Sequence, residues 1–253
     1  MAHEETVRII SGAKTAVLFI HGIAGTPDHF RRGILPLEDL VPEDFSVYNV
    51  LIEGHGKQVG DFSRSSMEKW ITQVMGIFDS LCATHDRVVI AGHSMGTLFA
   101  VKMALERQEK VPLLFLIDCP LRVGVKPFGV VNMIRLSFGC LNPEDPVQAA
   151  TGRVSSITHT WQVWKYIGWL PRLAELIRQM HLTAHSVSQL SVKCVAFQSK
   201  HDELVSCRSC DILRKSGKVE VHGLPNSTHF YYAPKDIQKV RCAFRKALEE
   251  LRQ

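Results

Sequence analysis

Short, almost continuous apolar runs alternate along the chain with longer segments whose apolar positions recur every three or four residues. The short runs cover residues 15–20, 45–52, 87–91, 113–117, 192–197 and 218–221. Such runs are typical of parallel strands buried on both faces of a sheet, whereas the longer period is typical of amphipathic helices. The pattern therefore predicts an α/β protein with a mainly parallel sheet flanked by helices.

Two of the helical segments are marked clearly. In one, apolar side chains recur at helical spacing from residue 67 to residue 81, and Ser65 and Glu68 are predicted to form a capping box at its start. The other covers residues 234–251 and interleaves its apolar positions with basic and acidic ones. Both are expected to pack one face against the sheet.

Residues 121–190 interrupt the alternation, because they contain no clear buried strand. The segment starts with several glycines and prolines and then places Trp161, Trp164 and Trp169 close together. A helix pair packed on the core is one interpretation. We favour a cap of residues 121–190 over a core of residues 1–120 and 191–253, in which the three tryptophans form an apolar wall for an acyl or aryl group.

The stretch Gly92-His93-Ser94-Met95-Gly96 follows the apolar run 87–91 and opens a helical pattern. A serine at a sharp strand-to-helix turn stands clear of the backbone, where a base and a substrate can both reach it. Bulky side chains two residues before and after it would collide, which explains the two glycines. We therefore expect Ser94 to be a nucleophile.

A serine nucleophile needs a base, and the base needs an acid that orients it. His229 is the predicted base, because it lies in a loop between the last strand and the last helix. Asp202 follows the strand before that and is the predicted acid, while Glu203 is adjacent but offset on the loop. Asp118, which ends the run 113–117, is the alternative acid.

Acyl transfer also requires donors for the oxyanion of the tetrahedral intermediate. Met95, as the residue after the nucleophile, is expected to supply one backbone N–H. The glycine-rich loop His21-Gly22-Ile23-Ala24-Gly25 follows the first apolar run, and the N–H of Ile23 is the expected second donor.

With these residues assembled, the chain resembles the α/β-hydrolase superfamily, and especially small bacterial carboxylesterases and monoacylglycerol lipases. The Gly54-His55-Gly56 turn and the stretch His201-Asp202-Glu203-Leu204-Val205 add to the match. The resemblance implies a helical cap after the sixth core strand and ester hydrolysis without a cofactor. It also implies a Ser94, Asp202 and His229 triad with oxyanion donors at Ile23 and Met95. Relatives often have proline where this chain has Glu53, which leaves that loop's shape open.

The same triad suits other substrates and functions. A thioester or a carbon–carbon-bonded diketone would use the same groups as a carboxylic ester. A ligand sensor built on a hydrolase fold, with negligible turnover, is a hypothesis of another class. The expected partner in the leading hypothesis is a small ester with an apolar acyl or aryl group.

Composition narrows the remaining options. The 253 residues are 45% hydrophobic and carry a formal net charge of +5, but the basic residues are scattered, so we expect no nucleic-acid partner. No apolar run is long enough to span a bilayer, and the acidic start does not look like a signal peptide, which predicts a cytoplasmic protein. Cys207 and Cys210 have the spacing of half a zinc site, but no second pair follows, so no metal is expected.

Overall fold

A computed structural model describes residues 3–32 and 34–252. These residues form a seven-stranded sheet in the order β1-β3-β2-β4-β5-β6-β7. Strand β1 runs antiparallel to β3, and the other neighbouring strands are parallel. The strands are β1 Thr6–Arg8, β2 Thr15–Ile20, β3 Ser46–Val50, β4 Arg87–His93, β5 Leu113–Ile117, β6 Lys193–Ser199 and β7 Val219–Leu224. The predicted α/β fold class is confirmed, and β1 is a short strand that the pattern did not indicate.

The α-helices connect these strands and cover both faces of the sheet. They are α1 Asp28–Arg31, α2 Val59–Arg64, α3 Met67–Thr84, α4 Met95–Glu106, α5 Pro127–Ser137, α6 Pro146–Val154, α7 Trp169–Ser186, α8 Ser209–Lys215 and α9 Pro234–Glu250. The predicted N-cap residue of α3 is wrong by one position. Ser66, not Ser65, is the N-cap, and its side chain accepts a hydrogen bond from the N–H of Lys69.

Successive side chains along a strand pack alternately into two separate hydrophobic cores. Leu18 and Ile20 of β2 belong to the core that includes α3 and α4, whereas Val17 and Phe19 belong to the core that includes α9. Every residue of β2 and β5 is buried. A strand that buries both faces has no polar face, and this explains why these strands appear in the sequence as continuous apolar runs.

Helices α5, α6 and α7 all lie between β5 and β6. The insertion therefore follows the fifth strand of this sheet in chain order, not the sixth. The carboxylate of Glu175 in α7 accepts the N–H of Met67 at 2.9 Å, and Met180 is buried within the main core. Part of the segment is thus integral to the core. None of the described helices is both long and apolar enough to cross a membrane.

Helix α4 begins directly behind the sheet, and Gly96 in its first turn touches β2. A Cβ built on Gly96 would overlap the carbonyl oxygen of Ile20. A backbone atom cannot rotate away as a side chain does, so the helix can approach the strand this closely only with glycine here.

We expect Gly96→Ala to destabilise the protein by at least about 1–3 kcal/mol, because the added methyl group forces α4 away from β2. Gly76→Ala is the matched control, because a Cβ at this exposed position in α3 meets nothing within 4 Å. Replacing a mid-helix glycine in this way is expected to stabilise by about 0.5–1 kcal/mol. Thermal unfolding followed by circular dichroism measures both. An unchanged midpoint for Gly96→Ala would contradict the close approach.

Candidate active site

Ser94 lies between the end of β4 and the first residue of α4, in a strained conformation. Its φ is 50° and its ψ is −122°, a region that residues with a side chain rarely adopt. A Cβ on Gly92 would lie 2.8 Å from backbone atoms of Gly96 and Thr97. The two glycines therefore permit a turn that projects the serine hydroxyl away from the sheet.

Three residues that are distant in the sequence form a continuous chain of hydrogen bonds at this turn. Nε2 of His229 lies 3.0 Å from Oγ of Ser94, and Nδ1 of His229 lies 2.8 Å from Oδ2 of Asp202. All three side chains are buried. In the neutral ring, the carboxylate accepts the proton on Nδ1, so that Nε2 faces the serine hydroxyl as an acceptor. The arrangement suits proton abstraction from Ser94.

The Asp202 carboxylate is held on both oxygens. Oδ1 accepts the backbone N–H groups of Leu204 and Val205, each at 2.8 Å. Oδ2 receives His229 and, at 3.3 Å, the amide nitrogen of Gln198. The turn that follows Asp202 therefore supplies two charge-assisted hydrogen bonds to this buried carboxylate.

The alternative acid, Asp118, is equally buried but is used differently. It accepts hydrogen bonds from the N–H of Ser199 at 2.6 Å, from the Ser199 hydroxyl at 3.0 Å and from the hydroxyl of Tyr232. The amide nitrogen of Gln198 donates to both aspartates. Desolvation, followed by the charge of Asp202, raises the pKa of Asp118 to about 7. Asp118 thus lies beside the acid–base pair, while Asp202 makes the contact to the imidazole.

The surroundings of His229 favour the imidazolium. Burial opposes the charged form, but the charge of Asp202 and its hydrogen bond, together with the charges of Asp118 and Glu203, outweigh it and raise the pKa of His229 to about 9. Glu203 also accepts the backbone N–H of His229 at 2.9 Å. Three carboxylates therefore surround one imidazole.

Two further histidines pack behind the site in neutral form. The rings of His29 and His93 stack with their centroids 4.0 Å apart. Burial and the neighbouring histidines lower the pKa of each. Donor atoms of His93, Asp118 and His229 come within 4.8 Å of one another. The His229 nitrogens and Asp118 oxygens that could bind a metal already form hydrogen bonds with Ser94, Asp202, Ser199 and Tyr232. The cluster therefore does not fit a metal site.

The loop after β2 passes next to Ser94. Gly22 packs so closely that a Cβ there would lie 3.0 Å from Cβ of Ser94, and Ile23 lines the same cavity as Ser94. His21 fixes the loop from within, since Nε2 accepts the N–H of Ile52 and Nδ1 therefore donates to the carbonyl of Gly22 at 2.8 Å. Met95 opens α4, where helix geometry leaves its N–H without an intrahelical acceptor.

A largely apolar cavity of about 630 Å³ opens above Ser94 and His229. The inserted segment forms much of its wall, through side chains that include Met133, Ile134, Phe138, Trp169, Leu173 and Met180. Of the three tryptophans expected to form an apolar wall, Trp169 lines the cavity. Trp161 and Trp164 are not among the residues that line it. They are 71% and 55% exposed, and their rings pack edge to face at 5.7 Å.

The inserted segment also presents apolar side chains to solvent. In the part of the chain that the structure describes, the exposed large apolar residues other than Val7 and Ile9 all lie between Val123 and Leu182. Several of them, such as Ile134 and Phe138, line the cavity as well. The entrance to the site is therefore an apolar surface.

The sequence matches the alpha/beta hydrolase family over residues 17–237, a range that includes Ser94, Asp202 and His229. The chain belongs to the alpha/beta hydrolase family. No curated protein matches the sequence at a significant level.

Solved structures agree with this family in fold. A structure described with the metagenome-derived lipolytic enzymes LipS and LipT is 19% identical, with a TM-score of 0.72 and coverage of 97% of this chain and 98% of that chain. A soluble variant of monoglyceride lipase from Saccharomyces cerevisiae is 11% identical, with a TM-score of 0.71 and coverage of 97% and 91%. The monoacylglycerol lipase of Paleococcus ferrophilus is 14% identical, with a TM-score of 0.67 and coverage of 97% and 98%.

In this hydrolase fold, the contacts of two acidic residues were not evident from the sequence. The sequence offers Asp118 either as the alternative acid or as a carboxylate that stabilises the start of the cap, and it places Glu203 only beside Asp202. Asp118 instead binds Ser199 and Tyr232, and Glu203 binds the main chain of His229. Their position after strands β5 and β6 indicated that they lie near the site, but not which atoms they contact.

We expect the His229 imidazole to titrate near pH 9 in the free protein, well above the usual 6.5 of histidine. Asp118→Asn is expected to lower this pKa, because it removes a negative charge that favours the imidazolium. Nuclear magnetic resonance of histidine-labelled protein measures the titration, and His229→Gln identifies the signal. Glu220→Gln is the control, because Glu220 pairs with His222 in β7 and not with His229. A His229 pKa that does not respond to Asp118→Asn would contradict the proposed coupling.

Proposed function

We propose that this protein is a serine hydrolase that cleaves carboxylic esters through an acyl-enzyme on Ser94. The observation that carries the proposal is the hydrogen-bonded chain from Ser94 through His229 to Asp202 at the base of an apolar cavity. A nucleophile, a base and an orienting acid in this geometry are the components of acyl transfer. Membership of the alpha/beta hydrolase family supports the same reaction class.

In the acylation step, Nε2 of His229 takes the proton of the Ser94 hydroxyl while Oγ attacks the ester carbonyl carbon. The carbonyl π bond opens, and its electrons form an oxyanion that receives the backbone N–H groups of Ile23 and Met95. Asp202 balances the positive imidazolium. When the tetrahedral intermediate collapses, the bond to the alcohol oxygen breaks, and His229 returns its proton to the leaving alkoxide.

Deacylation repeats the chemistry with water. His229 Nε2 removes a proton from water as the water oxygen attacks the acyl carbon. The same N–H groups receive the second oxyanion, and Ser94 leaves with the proton from His229. The base must be neutral at the start of both steps, so the rate is expected to rise with pH through the pKa of His229.

The substrate class follows from the cavity. A mostly apolar space of about 630 Å³ beside Ser94 suits the acyl or aryl part of an ester, and residues 121–190 would act as the cap that encloses it. The apolar side chains around the entrance favour lipid-like esters. The lipolytic enzymes and monoacylglycerol lipases among the similar folds support this choice.

We expect Ser94→Ala to reduce ester turnover by about 10⁴-fold to 10⁶-fold, because no other group supplies the attacking oxygen. A fluorophosphonate probe should label the wild type and leave Ser94→Ala unlabelled. Ser137→Ala is the matched control, because Ser137 also lines the cavity but lies on α5. Equal labelling of the wild type and Ser94→Ala would disprove the proposed nucleophile.

Chain-length selectivity tests the role of the cavity. Each buried methylene contributes about 0.8 kcal/mol, so kcat/KM is expected to rise about fourfold per added methylene until the cavity is filled. Leu173→Asp should weaken this preference, because it introduces a charge into the cavity wall. Leu170→Asp is the control, since this exposed leucine of the same helix does not line the cavity. Kinetics on p-nitrophenyl esters from acetate to longer chains measure both variants, and identical profiles would place the acyl group elsewhere.

A further inference from the structure

We propose that Glu203 is a positioning residue, which holds the main chain of His229 in place and connects it to the start of the cap. The proposal rests on the proposed function, because the reaction it serves is the one assigned to Ser94. Glu203 is only 2% exposed, and its Oε2 accepts the backbone N–H of His229 at 2.9 Å. The residue is thus buried next to the triad without belonging to it.

The contact restrains the position of the loop that carries His229. Asp202 fixes the rotation of the imidazole ring through Nδ1, but the distance from Nε2 to Ser94 also depends on where the loop holds the Cα atom. The loop connects β7 to α9, and the N–H of His201 also donates to the carbonyl of Ser227 at 3.1 Å, but the Glu203 carboxylate is the group that accepts the amide of His229 itself. A shift of about 1 Å at a reacting group costs on the order of 100-fold in rate.

Charge gives a second reason for a carboxylate at this position. The pKa of Glu203 is raised because burial disfavours its charged form, and the nearby charge of His229 offsets only part of this effect. Within the described residues, Glu203 forms no ion pair with lysine or arginine. Its charge is therefore balanced best when His229 is protonated, which is the state that forms as Ser94 attacks.

The same residue is in contact with the start of the cap. Residues 122–126 run alongside residues 203–206, with hydrogen bonds from Lys126 N–H to Glu203 O at 2.8 Å and from Gly124 N–H to Leu204 O at 3.0 Å. Gly129 in the first turn of α5 packs on the side chain, since a Cβ there would lie 3.0 Å from Cβ and Cγ of Glu203. A movement of α5 would therefore displace the Glu203 side chain and, through it, the main chain of His229.

Two substitutions separate the hydrogen bond from the charge. Glu203→Ala removes the acceptor and leaves the His229 amide unpaired, so kcat is expected to fall roughly 10-fold to 100-fold with KM nearly unchanged. Glu203→Gln keeps an acceptor oxygen, so kcat should stay within about threefold of the wild type. Loss of the charge should shift the acid limb of the pH profile to lower pH, with Asp202, Asp118 and His93 still facing the imidazole.

A matched control and a cap variant complete the design. Glu175→Ala removes a carboxylate that also accepts a backbone N–H at 2.9 Å, but that of Met67 at the start of α3, so it should affect stability and leave kcat unchanged. Gly129→Ala adds a methyl group against Glu203 and should lower kcat without touching the triad. Gly152→Ala, whose Cβ would meet only a methyl group of Leu141, should leave kcat unchanged.

The decisive readout does not depend on turnover. In labelled protein, the His229 amide signal should shift with the titration of Glu203 in the wild type, and this response should be absent from Glu203→Gln. An unchanged amide signal, or a Glu203→Ala variant that keeps its kcat, overturns the proposal, as does a Glu203→Gln variant that loses as much kcat as Glu203→Ala. A wild type that neither hydrolyses esters nor reacts with the fluorophosphonate overturns the proposed function alone, because the amide signal still reports on Glu203.

Discussion

The buried hydrogen bond between Asp202 and Nδ1 of His229 is the contact on which the rest of the site depends. It fixes the tautomer of the neutral imidazole, so that the deprotonated ring presents Nε2 to Ser94 as an acceptor. Removing either partner would leave an unpaired charge or donor in a dry environment, which costs several kcal/mol. The N–H groups of Leu204 and Val205 satisfy the other oxygen of the acid, so the bond is supported from both sides.

The sheet explains how distant parts of the chain meet around this bond. Strands β4, β5, β6 and β7 are consecutive neighbours and run parallel, so their carboxyl ends share one edge. Ser94 follows the first of them, Asp118 the second, Asp202 the third and His229 the fourth. Parallel pairing therefore converts the order of strands along the sheet into the order of chemical groups along the edge.

Sequence reasoning was strongest where the constraint is local. The turn at Ser94 is encoded by glycines two residues away on each side, and close backbone contacts at both glycines explain that spacing. The residues that form the wall of the cavity are harder to predict from the sequence. Whether Trp161 or Trp169 lines it depends on how a short turn and helix α7 pack on the core, and composition carries no record of that rotation. The hydrogen bond of Glu203 cannot be predicted from the sequence, because its donor is a main-chain N–H, and this group is the same at every position.

The carboxylates around His229 have two opposing effects on the rate of the reaction. A pKa raised from 6.5 to about 9 corresponds to about 3 kcal/mol in favour of the imidazolium. At neutral pH this penalty applies to the resting base, which must first lose its proton. The same interaction stabilises the imidazolium that forms while Ser94 attacks, and there it lowers the barrier. The two effects cancel only when the pH lies below about 6.5, and the net gain grows from there up to the raised pKa of about 9. The surrounding charges therefore favour an enzyme that works best in mildly alkaline conditions.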